Sequence, residues 1–307
     1  MAGCGEPVVD GGGDDLGGQI LDMSRQVPPT GKDIGTILNS SNHARNKIAN
    51  HNGAVVTGTP NVYFIWYGSW TGNTAQPILV DFITNLGGSP WFQINTKYPA
   101  FAGGSPSGVV IYGGSVDDAY SHGPSLSDTD LAAVVAGQFA SGGLPLDPNG
   151  IFVILGSSDV TATSGFCSAY CGQHSSAVYN GSTFRYVFVG NADRCPSACS
   201  PQALSPNGNA GADAMANALA NELSTTITDP LLTAWYDRDG FESADKCAWT
   251  YGGTYTTSNG AKANVRLGTR DYLLQENWVP TNRGGVCAQN LTQAAALIAA
   301  GADILAQ

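Results

Sequence analysis

The stretch 211–249, GADAMANALANELSTTITDPLLTAWYDRDGFESADKCAW, holds the side chains best suited to metal binding or acid–base catalysis. In zinc hydrolases of the HExx type, a His and a second ligand at i and i+4 project from one helix face, and the intervening Glu polarises the metal-bound water. Here those positions hold Asn221, Glu222 and Thr225. A neutral amide oxygen and a hydroxyl are poor zinc ligands, so the general-base position is present while both metal positions are replaced. The plainer reading is an amphipathic helix buried through Met215, Leu219, Leu223 and Ile227, with Glu222 in solvent.

The second constellation follows it. Asp237, Asp239, Glu242 and Asp245 are four carboxylates in nine residues, with Gly240 at the bend. Oxygen-rich loops of this kind suit Ca²⁺, a hard cation. The spacing is not that of an EF-hand, and a solvated acidic turn is the competing reading. Zinc held by other groups, with Glu222 as base and Asp229, Asp237 or His174 among the ligands, is the form in which catalysis would survive. His43, His51, His122 and His174 are otherwise scattered, with His174 set beside two cysteines. No nucleophile elbow, P-loop or dinucleotide fingerprint occurs.

Composition narrows the setting for this chemistry. Only 12% of the 307 residues are charged, about half the usual share, and polarity comes from Gly, Ser, Thr and Asn. A net charge of −11 with 13 Lys and Arg in no cluster argues against nucleic acid or an anionic membrane as partner. No apolar run reaches the ~18 residues of a membrane span. Cys167-x3-Cys171 and Cys195-x3-Cys199 are two tight pairs, Cys247 and Cys287 form a candidate third, and Cys4 is left over. Three disulfides imply an oxidising compartment, whereas a four-cysteine zinc knuckle is the rival reading. The first residues lack the basic and apolar regions of a signal peptide. The cysteines therefore favour a secreted chain whose signal has been removed. Sequons at Asn39, Asn180 and Asn290 agree with secretion and glycosylation.

The elements that must position these residues form one mixed α and β domain. Residues 1–26 read as a flexible Gly/Asp-rich tail and 27–307 as a single domain. Weak helical character spans 34–49, and a strand is expected to begin at 53–56. The run 61–68 (NVYFIWYG) is apolar throughout, as a strand buried on both faces requires. Further strands are expected at 89–95, 108–112, 151–155 and 184–189. Helices are expected at 76–86, at 128–140 behind an N-cap Ser127, at 212–228, and at 291–306. GGSVDDAYSHGPS reads as turn and GFCSAYCGQH as a disulfide-tied loop. Trp66, Tyr67, Trp70, Trp91 and Phe92 suit core packing, with Trp70 the one expected at the surface and a sugar-stacking platform the alternative. The fold class is therefore α+β, a central buried sheet flanked by helices.

PNVYFIWYGSW, LGGSPWFQIN, YGGSVDDAYSHGPSLSD, GFCSAYCGQH, YVFVGNADRCPSAC and SPNGNAGADAM, in this order, resemble the phosphate-induced protein family, also called the EXORDIUM family, over roughly 55–305. The resemblance implies a secreted protein of the plant apoplast or cell wall, linked to growth and to brassinosteroid or carbon-status responses. It also implies disulfides at the paired cysteines. Some members outside the land plants resemble zinc peptidases, with His-Glu-Leu-x-Glu before Thr-Asp-Pro. That His falls on Asn221, the first Glu on Glu222 and the second on Thr225, while Thr228, Asp229 and Pro230 match. The implied scaffold is a degenerate zincin-like core without zinc at the helix. Its expected partners are a wall polysaccharide or an extracellular protein, and a metal-dependent peptidase is the alternative.

Overall fold

In the computed structural model the described residues are 21–26, 47–302 and 304–305, the first and last segments as backbone alone. The expected tail, apart from 21–26, therefore lies outside the described residues, as do Cys4, His43, Asn39 and most of the weakly helical 34–49. A six-stranded sheet organises the chain. Its strands are β1 (Leu21–Gln26), β2 (Asn61–Tyr67), β3 (Ile111–Asp118), β4 (Gly150–Gly156), β5 (Gly172–Tyr179) and β6 (Ser182–Val189), in the order β1-β5-β6-β4-β2-β3. Strands β2, β3, β4 and β6 run parallel, whereas β5 is antiparallel to both β6 and β1.

Parallel strands need crossovers, and helices supply them. Helix α1 (Ala75–Leu86) joins β2 to β3, and α2 (Asp128–Ser141) joins β3 to β4 on the far side of β2. Strand β4 is buried along its full length, as its uninterrupted apolar run requires when helices cover both faces. Helix α2 starts at a capping box, Ser127 with Asp130, and stops where Gly142 turns left-handed at φ 75°. Its Phe139 meets Phe152 and Phe184 on one sheet face. Helix α3 (Ala210–Thr228) packs against β5, β6 and α1. It approaches through His174, whose register partner Val187 points away from Phe184 and Phe188. Helices thus cover both faces of the sheet.

Several expected elements change. Residues 89–95 form no strand: Phe92–Lys97 is a 3-10 helix that buries Phe92 and Ile94. No strand begins at 53–56, and the short strand lies at Ala49–Asn50. The GGSVDD text belongs to β3, an edge strand whose residues alternate in exposure, so its glycines stand within a strand that pairs on one side only. Residues 172–174 read as the end of the loop that starts at 165, yet they open β5, which buries Gln173, His174, Ser175 and Ser176. The last helix, α4 (Leu291–Ala299), is shorter than expected and packs on a second small core. That core is built on β7 (Asn277–Pro280) and β8 (Gly284–Ala288), and the backbone of β9 (Ile304–Leu305) pairs with β8. Trp70 is 7% exposed, because it turns back onto Trp66 and its indole N–H donates to the Tyr67 carbonyl at 3.2 Å.

Three disulfides are present: Cys167–Cys195, Cys171–Cys199 and Cys247–Cys287. The zinc-knuckle reading fails because all four sulfurs are spent in cross-links. One helical turn, Pro196–Cys199, puts Cys195 and Cys199 on one side, so the two bridges run as twin staples across the same loop. Once the first is closed the second encloses almost no further chain, so it removes little additional unfolded-state entropy. Cys247–Cys287 closes a separate loop with a sequence separation of 40. Among the described residues no helix is long and apolar enough to cross a membrane.

Replacing both Cys247 and Cys287 by Ala is expected to cost about 3–4 kcal/mol of unfolding free energy, from loop closure. Losing either twin staple is expected to cost clearly less. Urea titration of the three double variants checks the order, and equal losses would contradict it.

Candidate functional site

Helix α3 carries the residues with catalytic precedent, and almost every one of them is buried. Its N-terminus is capped by Asn209, whose Oδ1 accepts from the Ala212 N–H at 2.9 Å. Its other end stops at Asp229, whose Oδ1 accepts from the Thr233 and Ala234 N–H groups at 2.6 and 2.7 Å. From Gly211 to Thr228 each residue is buried, so the helix runs through the interior and polar side chains on it must find partners there. Asn217 Oδ1 accepts from the Gln275 N–H at 2.8 Å. The hydroxyl of Thr228 donates back to the Ser224 carbonyl at 2.9 Å.

Glu222 is 1% exposed, so the solvated position expected for it is corrected. Its Oε2 lies 3.1 Å from His174 Nδ1. Thr225 Oγ1 stands 3.2 Å from the same nitrogen and within reach of the Asn221 and Glu222 carbonyls. The single hydroxyl proton of Thr225 is used toward the helix backbone, so its oxygen accepts and His174 Nδ1 carries the hydrogen. On the far side of the ring, His174 Nε2 is 3.7 Å from Glu242 Oε1, an ion-pair distance beyond that of a hydrogen bond. The structure thus brings Glu222, Thr225 and Glu242 around His174, all within the interior. Asn221 is fully buried and neither of its amide atoms has a hydrogen-bond partner among the described residues.

The acidic loop is distributed. Asp237 Oδ2 pairs with the buried Lys246 Nζ at 2.8 Å, and its Oδ1 accepts from the Asp239 and Phe241 N–H groups. Asp239 stands 3.8 Å from the exposed Arg238. Asp245 Oδ2 accepts from the Glu242 N–H at 3.2 Å, while the Glu242 side chain belongs to the histidine cluster. Burial lowers the Lys246 ammonium from its usual value and Asp237 pulls it back up. Among the described residues no group of three or more His, Cys, Asp or Glu side chains is arranged to hold a metal ion. Of the sequons, Asn180 is exposed in the β5–β6 turn, whereas Asn290 caps α4 through its side chain.

A different place is open to solvent. At the carboxyl ends of β2 and β3 lies a cavity of about 510 Å³, lined by residues 68–73 together with Gln76, Asp117, Ala119 and Tyr120. From β2 the chain goes first to one side, to β3, and then across to β4 on the other; ligands of open α/β sheets bind outside the strand ends at such a reversal, here between β2 and β4, and the cavity lies beside it over β2 and β3. The loop after β4 joins in, with Ser157 Oγ accepting from the Ser69 N–H at 3.1 Å. None of these residues except Trp70 was singled out from the sequence. The available signal was a turn-rich segment, 68–73, placed directly behind the buried strand β2.

A family model described as the Phosphate-induced protein 1 conserved region matches residues 48–282. Protein EXORDIUM-like 3 of Arabidopsis thaliana is 32% identical over 268 residues, covering 74% of this chain and 79% of its own. Protein EXORDIUM of the same plant is 30% identical over 278 residues, covering 75% and 86%. Protein PHOSPHATE-INDUCED 1 of Nicotiana tabacum is 32% identical over 233 residues, covering 66% and 72%. No solved structure matches.

Removing the ring in His174→Ala leaves two buried carboxylates facing the space it filled, which is expected to cost about 3–5 kcal/mol in chemical denaturation. A loss under about 1 kcal/mol would mean that the cluster is relaxed by water. Glu276, next to the segment that crosses α3, is held above the usual carboxylate value by burial, with a hydrogen bond from Gln293 pulling it down. A raised carboxyl stabilises fully below its unfolded value of about 4.3, and that stability is lost as pH rises through the folded value. Glu276→Gln, which keeps the neutral form, is therefore expected to melt above the wild type at pH 8 and to converge with it near pH 4. A gap independent of pH would refute this.

Proposed function

The chain belongs to the phosphate-induced protein 1 family, and from that premise we propose that it is a secreted extracellular protein of the apoplast or cell wall. In this reading it acts by binding, to a wall polysaccharide or an extracellular protein, and not by catalysis. One observation carries the non-catalytic part. The one acid in a general-base position, Glu222, is 1% exposed and set against His174, while Asn221 and Thr225 occupy the positions from which a helix would offer zinc its ligands. A hydrolytic carboxylate must reach a water molecule and a substrate, and this one faces the interior.

Support for secretion comes from the three disulfides, which persist in oxidising compartments, and from the exposed Asn180 sequon as a glycosylation site. A zincin-like core draws support from the same arrangement, a long helix under the sheet facing an antiparallel strand next to the sheet edge. The alternative is a secreted zinc peptidase with non-standard ligands. It draws on the convergence of Glu222, Glu242 and His174, since imidazole and carboxylate are the ligand types zinc takes. A structural Ca²⁺ at 237–245 has less behind it, because the Asp237 carboxylate is already shared between Lys246 and two backbone amides.

Proteolysis of an unfolded protein substrate, with and without chelator, compares wild type and Glu222→Gln. The expected result is no cleavage above background in either, and no stoichiometric zinc by elemental analysis. Chelator-sensitive cleavage that disappears in Glu222→Gln would replace the binding reading by the peptidase one.

A further inference from the structure

The cavity at the carboxyl ends of β2 and β3 is open, rigid and unused by the buried cluster, and we infer that it is a binding site for a neutral glycan, a short run of sugar rings presenting vicinal hydroxyls. This rests on the binding role proposed above and assigns it a place and a ligand chemistry. Its volume of about 510 Å³ falls in the range of small-ligand sites, about 300–1,000 Å³.

The chemistry of the lining selects the class. None of the lining residues is Lys, Arg or His, so a phosphate, sulfate or uronate would meet no cation. Asp117 is exposed at the rim, with its Oδ1 at 3.4 Å from Gln76 Nε2. A carboxylate beside a carboxamide can accept from and donate to adjacent hydroxyls, the pattern a sugar ring offers. Other carboxylates nearby are engaged. Asp118 accepts from the Ser121 N–H and hydroxyl and from Gln138 Nε2. Asp159 accepts from Ser157 at 2.6 Å and from Tyr120 at 2.6 Å, which together hold its carboxyl below the usual range. The cavity therefore presents one carboxylate, too little charge to select a polycation over a neutral ligand.

Two aromatic rings complete the site. Trp70 spends its N–H on the Tyr67 carbonyl and, 7% exposed, forms the packed floor, while Tyr120 spends its hydroxyl on Asp159 and leaves part of its ring toward the cavity. Pinned rings lose little freedom on binding. The backbone is held as well. Tyr120 sits in the left-handed region at φ 62°, and Gly68 at φ 99°, where a Cβ would collide with Ser157 Oγ. A non-glycine residue kept at positive φ costs of order 1–3 kcal/mol and persists where the surroundings demand it, commonly at ligand clamps. Asn73 fixes the remaining wall: its Oδ1 accepts from the Ala75 N–H and from Asn209 Nδ2, both at 2.9 Å, which ties the cavity rim to the cap of α3.

The test is titration calorimetry of the full chain against a panel of neutral oligosaccharides (β-linked glucose, xylose, mannose and galactose oligomers), with oligogalacturonate as the acidic control. At least one neutral oligomer is expected to bind. Asp117→Ala and Gln76→Ala each remove a surface hydrogen-bonding group, and each should weaken binding about three- to tenfold. Thr71→Arg, which places a long side chain at the exposed rim, should weaken it by more than about tenfold, with the melting temperature unchanged in all three. Absence of binding to every neutral oligomer, preference for oligogalacturonate, or binding undiminished in all three variants would each overturn the assignment. In the first case a binding role toward an extracellular protein still stands, whereas chelator-sensitive proteolysis would remove the parent reading; the two failures are thus separable.

Discussion

Everything in this molecule that touches the sheet's interior face depends on a helix that carries polar side chains while being buried all round. Helix α3 contains Asn, Asp, Glu, Ser and Thr at positions that a soluble surface helix would turn outward, yet Gly211 through Thr228 are all buried. Each such group costs free energy unless it is paired inside, of order 1–3 kcal/mol for a neutral group and more for a charged one. The fold meets this with partners drawn from distant parts of the chain: Gln275 for Asn217, Asn207 and Ser205 for Asp213, His174 for Glu222. Burial still pushes the Asp213 carboxyl up despite its hydrogen bonds. The strand β5, the segment 274–277 and the loop before α3 are therefore held in register by one helix, and this explains the buried His174 on strand β5, while its neighbour Gln173 turns to the other face and donates to Asp128.

The loops divide into two kinds for the same reason. Those that serve α3 are cross-linked or saturated with hydrogen bonds: the twin staples fasten 167–171 to 195–199 beside the helix, and Cys247–Cys287 fastens the acidic loop to β8. The loops after β2 and β3 carry no cross-link and are shaped by backbone geometry and short side-chain bonds, whereas those after β4 and β6 hold the twin staples. A rigid interior helix with solvent-open loops after β2 and β3 is the usual partition between scaffold and binding surface. Here the partition falls away from the residues with catalytic precedent.

Much of the fold was legible, and its legibility tracked how local the cause was. Strands β2 and β4 announced themselves because parallel strands buried on both faces must be apolar throughout. Helix α2 did so through Ser127, Asp130 and Gly142, whose roles are set within a few residues. Strand β5 was hidden because its content, Gln173, His174, Ser175 and Ser176, is selected by what lies across from it and not by sheet propensity. Strand β3 was hidden because paired glycines read as a turn, and only the neighbouring β2 makes them a strand. The Cys247–Cys287 pair was legible, but the pairing among Cys167, Cys171, Cys195 and Cys199 was out of reach, since two i, i+4 cysteine pairs allow several connectivities.

The site shows the limit of motif reasoning more sharply. Spacing identified Asn221, Glu222 and Thr225 as a set, and the structure does gather two of them with His174, so the constellation is real in space. What spacing cannot carry is the dielectric around it. The same carboxylate is a base in a wet cleft and a structural ion-pair partner in a packed interior, because desolvation raises the cost of leaving its charge unpaired by several kcal/mol. Asn and Thr in the helix positions offer α3 only neutral oxygens as ligands. Glu222 finds its partner on β5, where His174 stands between it and Glu242. Closed over on every side in this way, the helix holds the sheet and its loops together through the same polar groups that spacing alone would assign to chemistry.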